Sequence, residues 1–199
     1  EQDKETVREW KEKRLPKLLR EAKKRRSLVF YADESLISLI PYVGKTWAFP
    51  DTKPIVHVSG KRGQNIGITA AVNQQGRMCF ELTKEKERFT AKIFIRFIKK
   101  MRKEFSNRHI ILIVDGAPTH KAKIVKAFED ENKRWFQLEI LPAYSPELNP
   151  TEKSWRFLKT KKLDGSMAKD KKELRAKTIK TVREIKKDKI RVSSFFNEL

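Results

Sequence analysis

HIILIVD, residues 109–115, places five consecutive aliphatic residues directly before the carboxylate Asp115. Such a run predicts a strand over 109–114 that is buried on both faces of a sheet. The sequence LVFYA at residues 28–32 has the same character and is followed at once by Asp33. If the two strands are parallel neighbours, both aspartates come to the carboxyl edge of the sheet, where open α/β sheets place their functional sites.

Periodicity in the rest of the chain predicts the elements around these two strands. Apolar patterns predict strands at residues 55–59, 65–73, 77–82 and 138–141, and apolar stripes at helical spacing predict helices at 90–105 and 118–131. Gln74, Gln75 and Gly76 predict a hairpin turn between two of the strands, with a glycine available for positive φ. Near the N-terminus, Pro16 interrupts a helix or opens a second one.

The order of these elements predicts the fold. The first three strands of the sheet can form an antiparallel meander, and the helix over 90–105 must return the 109–114 strand parallel to a neighbour. If that neighbour is the 28–32 strand, the topology is that of an RNase H-like domain. We therefore predict an α/β fold with a central, mixed five-stranded sheet flanked by helices.

The charge of the chain points to a polyanionic partner. Among 199 residues, 47 are Lys or Arg and 26 are Asp or Glu, for a formal net charge of +21. Such an excess favours DNA or RNA as the partner and says nothing about the fold. A ribosomal protein or an RNA-binding module would have the same charge, so composition leaves the chemistry open.

Cysteine usage and hydropathy exclude several classes of protein. Cys79 is the only cysteine, which excludes an intramolecular disulfide and a CxxC or Cys/His zinc site, and a small buried side chain is its expected role. No apolar stretch approaches the length of a membrane span, and no secretory signal opens the sequence. We expect no membrane partner.

A third motif, LPAYSPELNPTEKSWRFLK at residues 141–159, carries the remaining acid. Asn149 is a favourable N-cap and Pro150 is favoured at the first helical position, which puts Glu152 in the first turn of a helix. Glu152 could therefore be only a capping-box acid. Against this, Arg156 and Lys159 share its helix face, and one acid among cations could hold a metal ion and grip a phosphate beside it.

The three motifs together resemble the catalytic motifs of the mariner superfamily of DDE transposases. They are DES at residues 33–35, VDGAPTHKA at 114–122 and the long motif at 141–159, and the resemblance covers residues 28–163. It is closest to the branch of bacterial insertion-sequence transposases. The resemblance implies that Asp33, Asp115 and Glu152 are the catalytic acids. The last two are separated by 36 residues, a short separation typical of the superfamily.

The acids define the expected chemistry. Carboxylates suit hard cations, so we expect two Mg²⁺ or Mn²⁺ ions, with Asp33 bridging them, Asp115 completing one site and Glu152 the other. Water would cut a DNA strand and leave a 3′-OH, which would then attack target DNA. The resemblance implies cut-and-paste transposition, with TA dinucleotides as the target. The partners are then transposon ends and target DNA.

The resemblance also implies an assembly and a location. We expect a homodimer on DNA, because transposition pairs two transposon ends, and a helix-turn-helix domain that is missing from this chain. The expected location is cytoplasmic, at the bacterial nucleoid.

Several side chains are candidates for DNA contacts. They are His120, Lys121, Lys153, Arg156, Lys159, Lys161 and Lys162. His120 could contact phosphate or tune the site, and helix capping or a surface role is equally open. Glu34 should point away from Asp33 and serve a structural role. Tyr144 and Ser145 invite a nucleophile interpretation, as in recombinases, but no matching arginine–histidine cluster surrounds them and loop packing is favoured.

The chain divides into three predicted regions. Residues 1–27 are a helical linker, 28–163 the RNase H-like catalytic domain, and 164–199 a basic helical extension. In the extension, apolar or small residues recur at helical spacing at Leu174, Thr178, Val182 and Ile185. More than half of the chain's cation excess lies between residues 153 and 191, so this helix either exposes a solvated face or contacts DNA.

Two rival functions remain open. One is another RNase H-like endonuclease, which a strand-transfer product would distinguish. The other is a non-catalytic nucleic-acid-binding module, in which the acids only cap and pair, and which would not need Mg²⁺.

Overall fold

The computed structural model describes residues 2–40, 47–52, 64–163 and 168–197. Five strands form one sheet: β1 (Leu28–Ser38), β2 (Asn65–Val72), β3 (Met78–Leu82), β4 (Ile110–Val114) and β5 (Phe136–Ile140). The α-helices are α1 (Lys4–Glu9), α2 (Leu15–Lys24), α3 (Ala91–Glu104), α4 (Lys123–Asn132), α5 (Pro150–Phe157), α6 (Lys171–Lys187) and α7 (Lys189–Ser194). π-Helical turns at Trp10–Arg14 and Leu158–Lys162 extend α1 and α5, and Pro146–Leu148 is a 3₁₀ turn.

The sheet has the predicted mixed topology. Its strand order is β3-β2-β1-β4-β5, with β1, β2 and β3 antiparallel and β4 and β5 parallel to β1. β1, β2 and β3 form the predicted antiparallel meander. α3 then connects β3 to β4 and returns β4 parallel to β1, as predicted. The strand predicted at 55–59 lies outside the described residues.

β1 is longer than the predicted strand over 28–32. It pairs with β4 only from Leu28 to Tyr31, but its antiparallel pairing with β2 continues to Ser38. Asp33 therefore lies inside the strand, opposite Ala70, at the point where the parallel neighbour has ended. The local pattern missed this extension because the polar residues after Ala32 are held by pairing with a distant segment.

The helix predicted over 118–131 begins later, at Lys123. The backbone N–H groups of His120 and Lys121 both donate to the carbonyl of Ala117, which forms an isolated turn. Ala122 is then the extended residue that precedes α4, with φ −61° and ψ 141°. The preceding turn lets the His120 side chain enter the interior instead of continuing a helical stripe.

Helices cover both faces of the sheet. On one face α3 and α4 bury side chains such as Phe94, Phe97 and Val125 against β1 and β4. On the other face lie α2, α5, α6 and α7. The predicted stripe of the basic extension, Leu174, Thr178, Val182 and Ile185, is buried in α6. None of the helices in the described part of the chain is long and apolar enough to cross a membrane.

The β2–β3 hairpin provides a stability prediction. Gly76 has φ +74°, and a Cβ there would lie 2.3 Å from the backbone oxygen of Lys189 in α7. Gly76→Ala should lower the free energy of unfolding by at least about 1–2 kcal/mol, because a left-handed non-glycine residue is strained and the α7 backbone must also shift. Urea unfolding measures the change.

The matched control is Gln75→Ala, at the exposed neighbouring position of the same turn. It should leave stability almost unchanged. Equal stability of the Gly76→Ala protein and the control would contradict the close packing of the hairpin against α7.

Candidate active site

Three acids from three elements line one cleft of about 410 Å³. Asp33 lies in β1, Asp115 directly follows the adjacent parallel strand β4, and Glu152 lies in the first turn of α5. The structure therefore brings together the three residues that the sequence singled out. Lys121 and the loop from Leu141 to Pro146 form the other walls.

The start of α5 is fastened to β1 beside Asp33. Asn149 caps the helix by accepting from the Thr151 N–H (3.1 Å), and its amide donates to the carbonyl of Ala32 (3.1 Å). The Thr151 hydroxyl donates to the carbonyl of Tyr31 (2.8 Å). Both side chains are buried. Because two buried hydrogen bonds hold this turn, the position of Glu152 relative to Asp33 is well defined.

The alternative role of Glu152 as a capping-box acid is not favoured. A capping box needs the N–H of the N-cap residue as the donor to the glutamate side chain. The N–H of Asn149 instead donates to the carbonyl of Pro146 (2.9 Å), and Glu152 is exposed in the cleft. The carboxylate of Glu152 is thus available for a ligand.

Asp33 has the most perturbed carboxyl group of the cleft. Burial and the nearby charge of Glu152 raise its pKa to about 7, although the indole N–H of Trp155 donates to its Oδ2 (2.8 Å) and opposes the rise. Sequence reasoning missed this hydrogen bond. The signal was available, since a buried indole N–H needs an acceptor.

The pKa of Asp115 is shifted in the opposite direction, below its ordinary value. A hydrogen bond from His120 is the main cause that lowers the pKa of Asp115, with a further contribution from the N–H of Ala117 (3.1 Å) and the charge of Lys121. Its side chain is 58% exposed toward the cleft. Asp115 is therefore an ionised, solvent-facing carboxylate at neutral pH.

His120 joins two carboxylates beneath the cleft. Its Nδ1 lies 2.8 Å from Oδ1 of Asp115 and its Nε2 lies 3.4 Å from Oε1 of Glu34. Its ring packs against Phe94, with the centroids 4.5 Å apart. Burial lowers the pKa of His120, but the hydrogen bonds to Asp115 and Glu34 outweigh it and raise the pKa to about 10. His120 is therefore a cation at neutral pH.

This arrangement corrects the prediction of His120 as a DNA contact. Only 1% of its side chain is exposed and both ring nitrogens face carboxylates, so no donor is left for a phosphate. It also precedes α4 by three residues and does not cap it. Glu34 lies on the opposite face of β1 from Asp33, as expected for adjacent strand residues, and its structural role is to pair with His120.

The cationic side chains that were predicted to contact DNA lie at different distances from the cleft. Lys121 is exposed near Asp115. Its ammonium nitrogen lies 3.0 Å from the position that a Cβ on the neighbouring Gly116 would occupy. Lys159 donates to the hydroxyl of Ser35 (2.8 Å), on the same face of β1 as Asp33. The remaining residues lie further along α5 and its extension: Arg156, Lys161 and Lys162 are exposed, and Lys153 donates to the carbonyl of Asn197 (3.4 Å).

Tyr144 and Ser145 differ in their surroundings. Ser145 is buried, and its hydroxyl donates to the carbonyl of Ala143 (3.1 Å), as the loop-packing interpretation predicted. For Tyr144 that interpretation is wrong. Its side chain is 73% exposed at the cleft, on a residue with φ +55°.

The donor set of the cleft fits divalent cations shared between acids. Among the described residues, no group of three acid, histidine or cysteine side chains is arranged to hold a metal ion. The repulsion between Glu152 and Asp33 that raises the pKa of Asp33 is, however, what a bound cation would relieve. Two carboxylates per ion, completed by water and phosphate oxygens, is the environment that Mg²⁺ accepts.

A mixed sheet that carries three acids in one cleft is typical of a class of enzymes that cleave phosphodiester bonds. Residues 28–175 match the family described as DDE superfamily endonuclease, and the chain belongs to that family. A comparison with curated protein sequences finds no significant match.

Solved structures of the Mos1 mariner transposase share the fold. The paired-end complex with Mg aligns over 100% of this chain and 60% of the transposase, with a TM-score of 0.66 and 20% identity. The paired-end complex with the left transposon end aligns over 98% and 63%, with a TM-score of 0.63 and 17% identity. The Mos1 catalytic domain alone aligns over 98% and 96%, with a TM-score of 0.50 and 17% identity. This likeness confirms the RNase H-like fold, and the chain spans about 63% of the length of the full transposase.

Proposed function

We propose that this chain is the catalytic domain of a transposase that cuts DNA strands at transposon ends and joins them to target DNA. The observation that carries the proposal is the convergence of Asp33, Asp115 and Glu152 on one open cleft. Membership of the DDE endonuclease family and the fold shared with a mariner transposase support it. The net charge of +21 supplies the attraction for DNA.

Mg²⁺ or Mn²⁺ is the cofactor that fits this donor set, and Mos1 complexes with each are known. We propose two ions per site, which the carboxyl groups of Asp33, Asp115 and Glu152 would hold. When bound, such ions activate the attacking oxygen and neutralise charge on the reacting phosphate.

The protein's own residues position the substrate and keep the acids ready. His120 holds Asp115 ionised and directed into the cleft, and Trp155 orients Asp33. The ammonium groups of Lys121 and Lys159 flank the acids and can contact the phosphates on either side of the scissile bond. The positions of His120, Trp155 and Lys159 would be set before the DNA arrives, since each of these side chains is held by a polar contact within the protein.

Two displacement steps complete the reaction. In the first, water oxygen bonds to phosphorus while the P–O3′ bond breaks, which leaves a 3′-OH and a 5′-phosphate. In the second, that 3′-OH attacks a target phosphorus in line and releases a new 3′-OH on the target strand. Neither step needs a covalent bond to the enzyme.

Finer assignments follow from the motif resemblance. We propose a bacterial insertion-sequence origin, action on the DNA of the nucleoid, and a homodimer that pairs two transposon ends. Specific recognition of the ends would come from a helix-turn-helix domain outside this chain.

The test is an incubation of the chain and its full-length parent with DNA bearing the inverted repeats that flank the gene, with Mn²⁺ or Mg²⁺. Cleavage that leaves 3′-OH ends, followed by joined products, is the expected result. Cleavage without joining, even by the full-length protein, would favour another RNase H-like endonuclease. DNA binding that is indifferent to metal, with no cleavage by either protein, would favour a non-catalytic module.

Asp33 makes metal binding pH-dependent. Since its pKa is raised to about 7, the carboxyl is protonated below that pH and a cation must displace the proton. The affinity for Mn²⁺ should therefore fall about tenfold for each pH unit below 7 and level off above it. Calorimetric titration in buffers of different ionisation enthalpy should show about one proton released at pH 6 and few at pH 8.

Trp155→Phe provides the matched variant for this prediction. It removes the N–H that opposes the raised pKa of Asp33, so the pH at which affinity levels off should move upward. An affinity that stays constant between pH 6 and 8 in the wild type would contradict the assignment.

A further inference from the structure

Tyr144 is a large aromatic side chain that the fold leaves in solvent at the edge of the acidic cleft. Its exposure of 73% contrasts with the buried aromatic side chains of the core, such as Phe94 and Phe97. It lines the same cleft as Asp33, Asp115 and Glu152. The ring of Tyr144 is therefore available for contact with a molecule that enters the cleft.

The backbone at Tyr144 is strained. Its φ of +55° is in the left-handed region, which costs a non-glycine residue about 1–2 kcal/mol. Such strain persists where the surrounding structure over-determines it, and it concentrates at functional sites. Tyr144 therefore combines an unfavourable backbone conformation with an exposed ring.

The neighbouring contacts make the loop rigid. Leu141 and Leu148 are buried at its two ends, and the N–H of Leu141 donates to the carbonyl of Val114 in β4 (2.8 Å). Ser145 is buried and accepts from the side-chain amide of Gln2 (3.3 Å). Because Leu141, Ser145 and Leu148 are buried on the two sides of Tyr144, its ring is presented from a preorganised support.

The chemistry of the cleft identifies the partner of this ring. Lys121 and Lys159 flank the acids on a chain with a net charge of +21, which favours a nucleic-acid backbone in the cleft. When a phosphate lies at the acids, the adjacent nucleotides extend past the cleft walls. An exposed aromatic ring is a stacking surface for a base, with a contribution of about 1–3 kcal/mol per stacked base.

We propose that Tyr144 stacks on a nucleobase next to the scissile phosphate and so sets the register of the strand in the cleft. The base must be terminal or unstacked, because the faces of a base inside a duplex are covered by its neighbours. This inference rests on the proposed function and adds a positioning contact to the substrate that the three acids do not provide.

The first test is substrate binding with DNA that carries 2-aminopurine on either side of the cleavage site, in Ca²⁺ to prevent turnover. Wild type and Tyr144→Phe should both change the fluorescence at one position, because each retains a stacking ring. Tyr144→Ala should lose this change and raise the KM for cleavage by about 5- to 150-fold.

Tyr144→Gly separates the role of the ring from protein stability. Glycine accepts positive φ, so this variant should be at least as stable as the wild type and yet bind substrate as weakly as Tyr144→Ala. Ile190→Ala removes another highly exposed apolar side chain, from α7, and should leave binding unchanged. A loss of binding in Tyr144→Gly is then not a consequence of unfolding.

An abasic substrate decides whether the contact is to a base. Removal of the stacked base should weaken wild-type binding as much as Tyr144→Ala does, and should add almost nothing in the variant. Equal penalties for the variant on normal and abasic DNA would overturn the inference and indicate contact with sugar, phosphate or a second protein chain. Unchanged binding in Tyr144→Ala would overturn it as well.

The two proposals fail in different ways. If the wild-type chain and its parent cut no DNA in Mn²⁺, the proposed transposase function is overturned. If the wild type cuts DNA but removal of the Tyr144 ring changes neither binding nor register, only the stacking inference is overturned.

Discussion

Asp115→Ala is expected to lower the rate of metal-dependent strand cleavage about a thousandfold or more while nonspecific DNA binding stays almost unchanged. Asp115 is the ionised, exposed acid of the cleft, with a pKa that His120 keeps low. Its loss removes a cation ligand from a site in which ions are shared between few carboxylates. Binding depends on the overall positive charge, which this change makes slightly larger.

The measurement is the rate of cleavage of an end-labelled DNA duplex in Mn²⁺, with binding followed separately in Ca²⁺. Asp130→Ala is the matched control, since Asp130 is an exposed aspartate of α4 that does not line the cleft. It should cleave as the wild type does. Cleavage by Asp115→Ala within about tenfold of the control would contradict the role of Asp115 as a ligand, since even the loss of an outer-shell partner costs 10–100-fold.

The second large effect is expected at His120, which touches no substrate and acts through Asp115. Loss of such a supporting contact to a metal ligand typically costs about 10–100-fold in metal affinity or activity. His120→Ala should show this loss and should also be less stable, because Glu34 and Asp115 would lose their shared partner. The effect on Mn²⁺ affinity separates a positioning role from a purely structural one.

Two conservative variants distinguish the contacts of the ring. An asparagine amide reaches the place of Nδ1 and can still donate to Asp115, whereas a glutamine amide reaches the place of Nε2 and can donate only to Glu34. His120→Asn should therefore retain more activity and tighter Mn²⁺ binding than His120→Gln. The reverse order would contradict positioning through Asp115.

The charge of His120 also makes stability depend on pH in the metal-free protein. Its pKa is raised to about 10 in the folded state, above the ordinary value of 6.5. A raised pKa of this kind contributes stability that is fully present below pH 6.5 and is lost as pH rises through 10. The stability difference between wild type and His120→Asn should therefore shrink between pH 6.5 and 10, as measured by urea unfolding.

Much of the fold could be predicted because its signals are local. Five consecutive aliphatic residues before Asp115 have few options other than a buried strand, and the turn at Gln74–Gly76 needs only a residue that accepts positive φ. The N-cap at Asn149 and the proline after it define the start of α5 in the same way. Asp115 and Glu152 could be found because each lies at an element boundary that local chemistry marks, and Asp33 because it directly follows an apolar run, although β1 continues past it.

The remaining features depend on contacts between residues far apart in the chain. β1 continues past Ala32 only because β2 pairs with it, and His120 leaves the helical stripe only because Asp115 and Glu34 both lie within its reach. The sequence pattern predicts neither the extension of β1 nor the inward direction of His120, since each depends on a partner from another segment of the chain.

Local propensity, together with the resemblance of the three motifs, was therefore sufficient to predict the mixed sheet and the three acids of the cleft. Tertiary packing alone settled which side chains face the cleft: it buried His120 behind Asp115, directed Trp155 onto Asp33 and left Tyr144 in solvent. The physical reason is that the formation of an element depends mainly on its own residues. The direction and protonation of a side chain depend on what the rest of the fold places beside it.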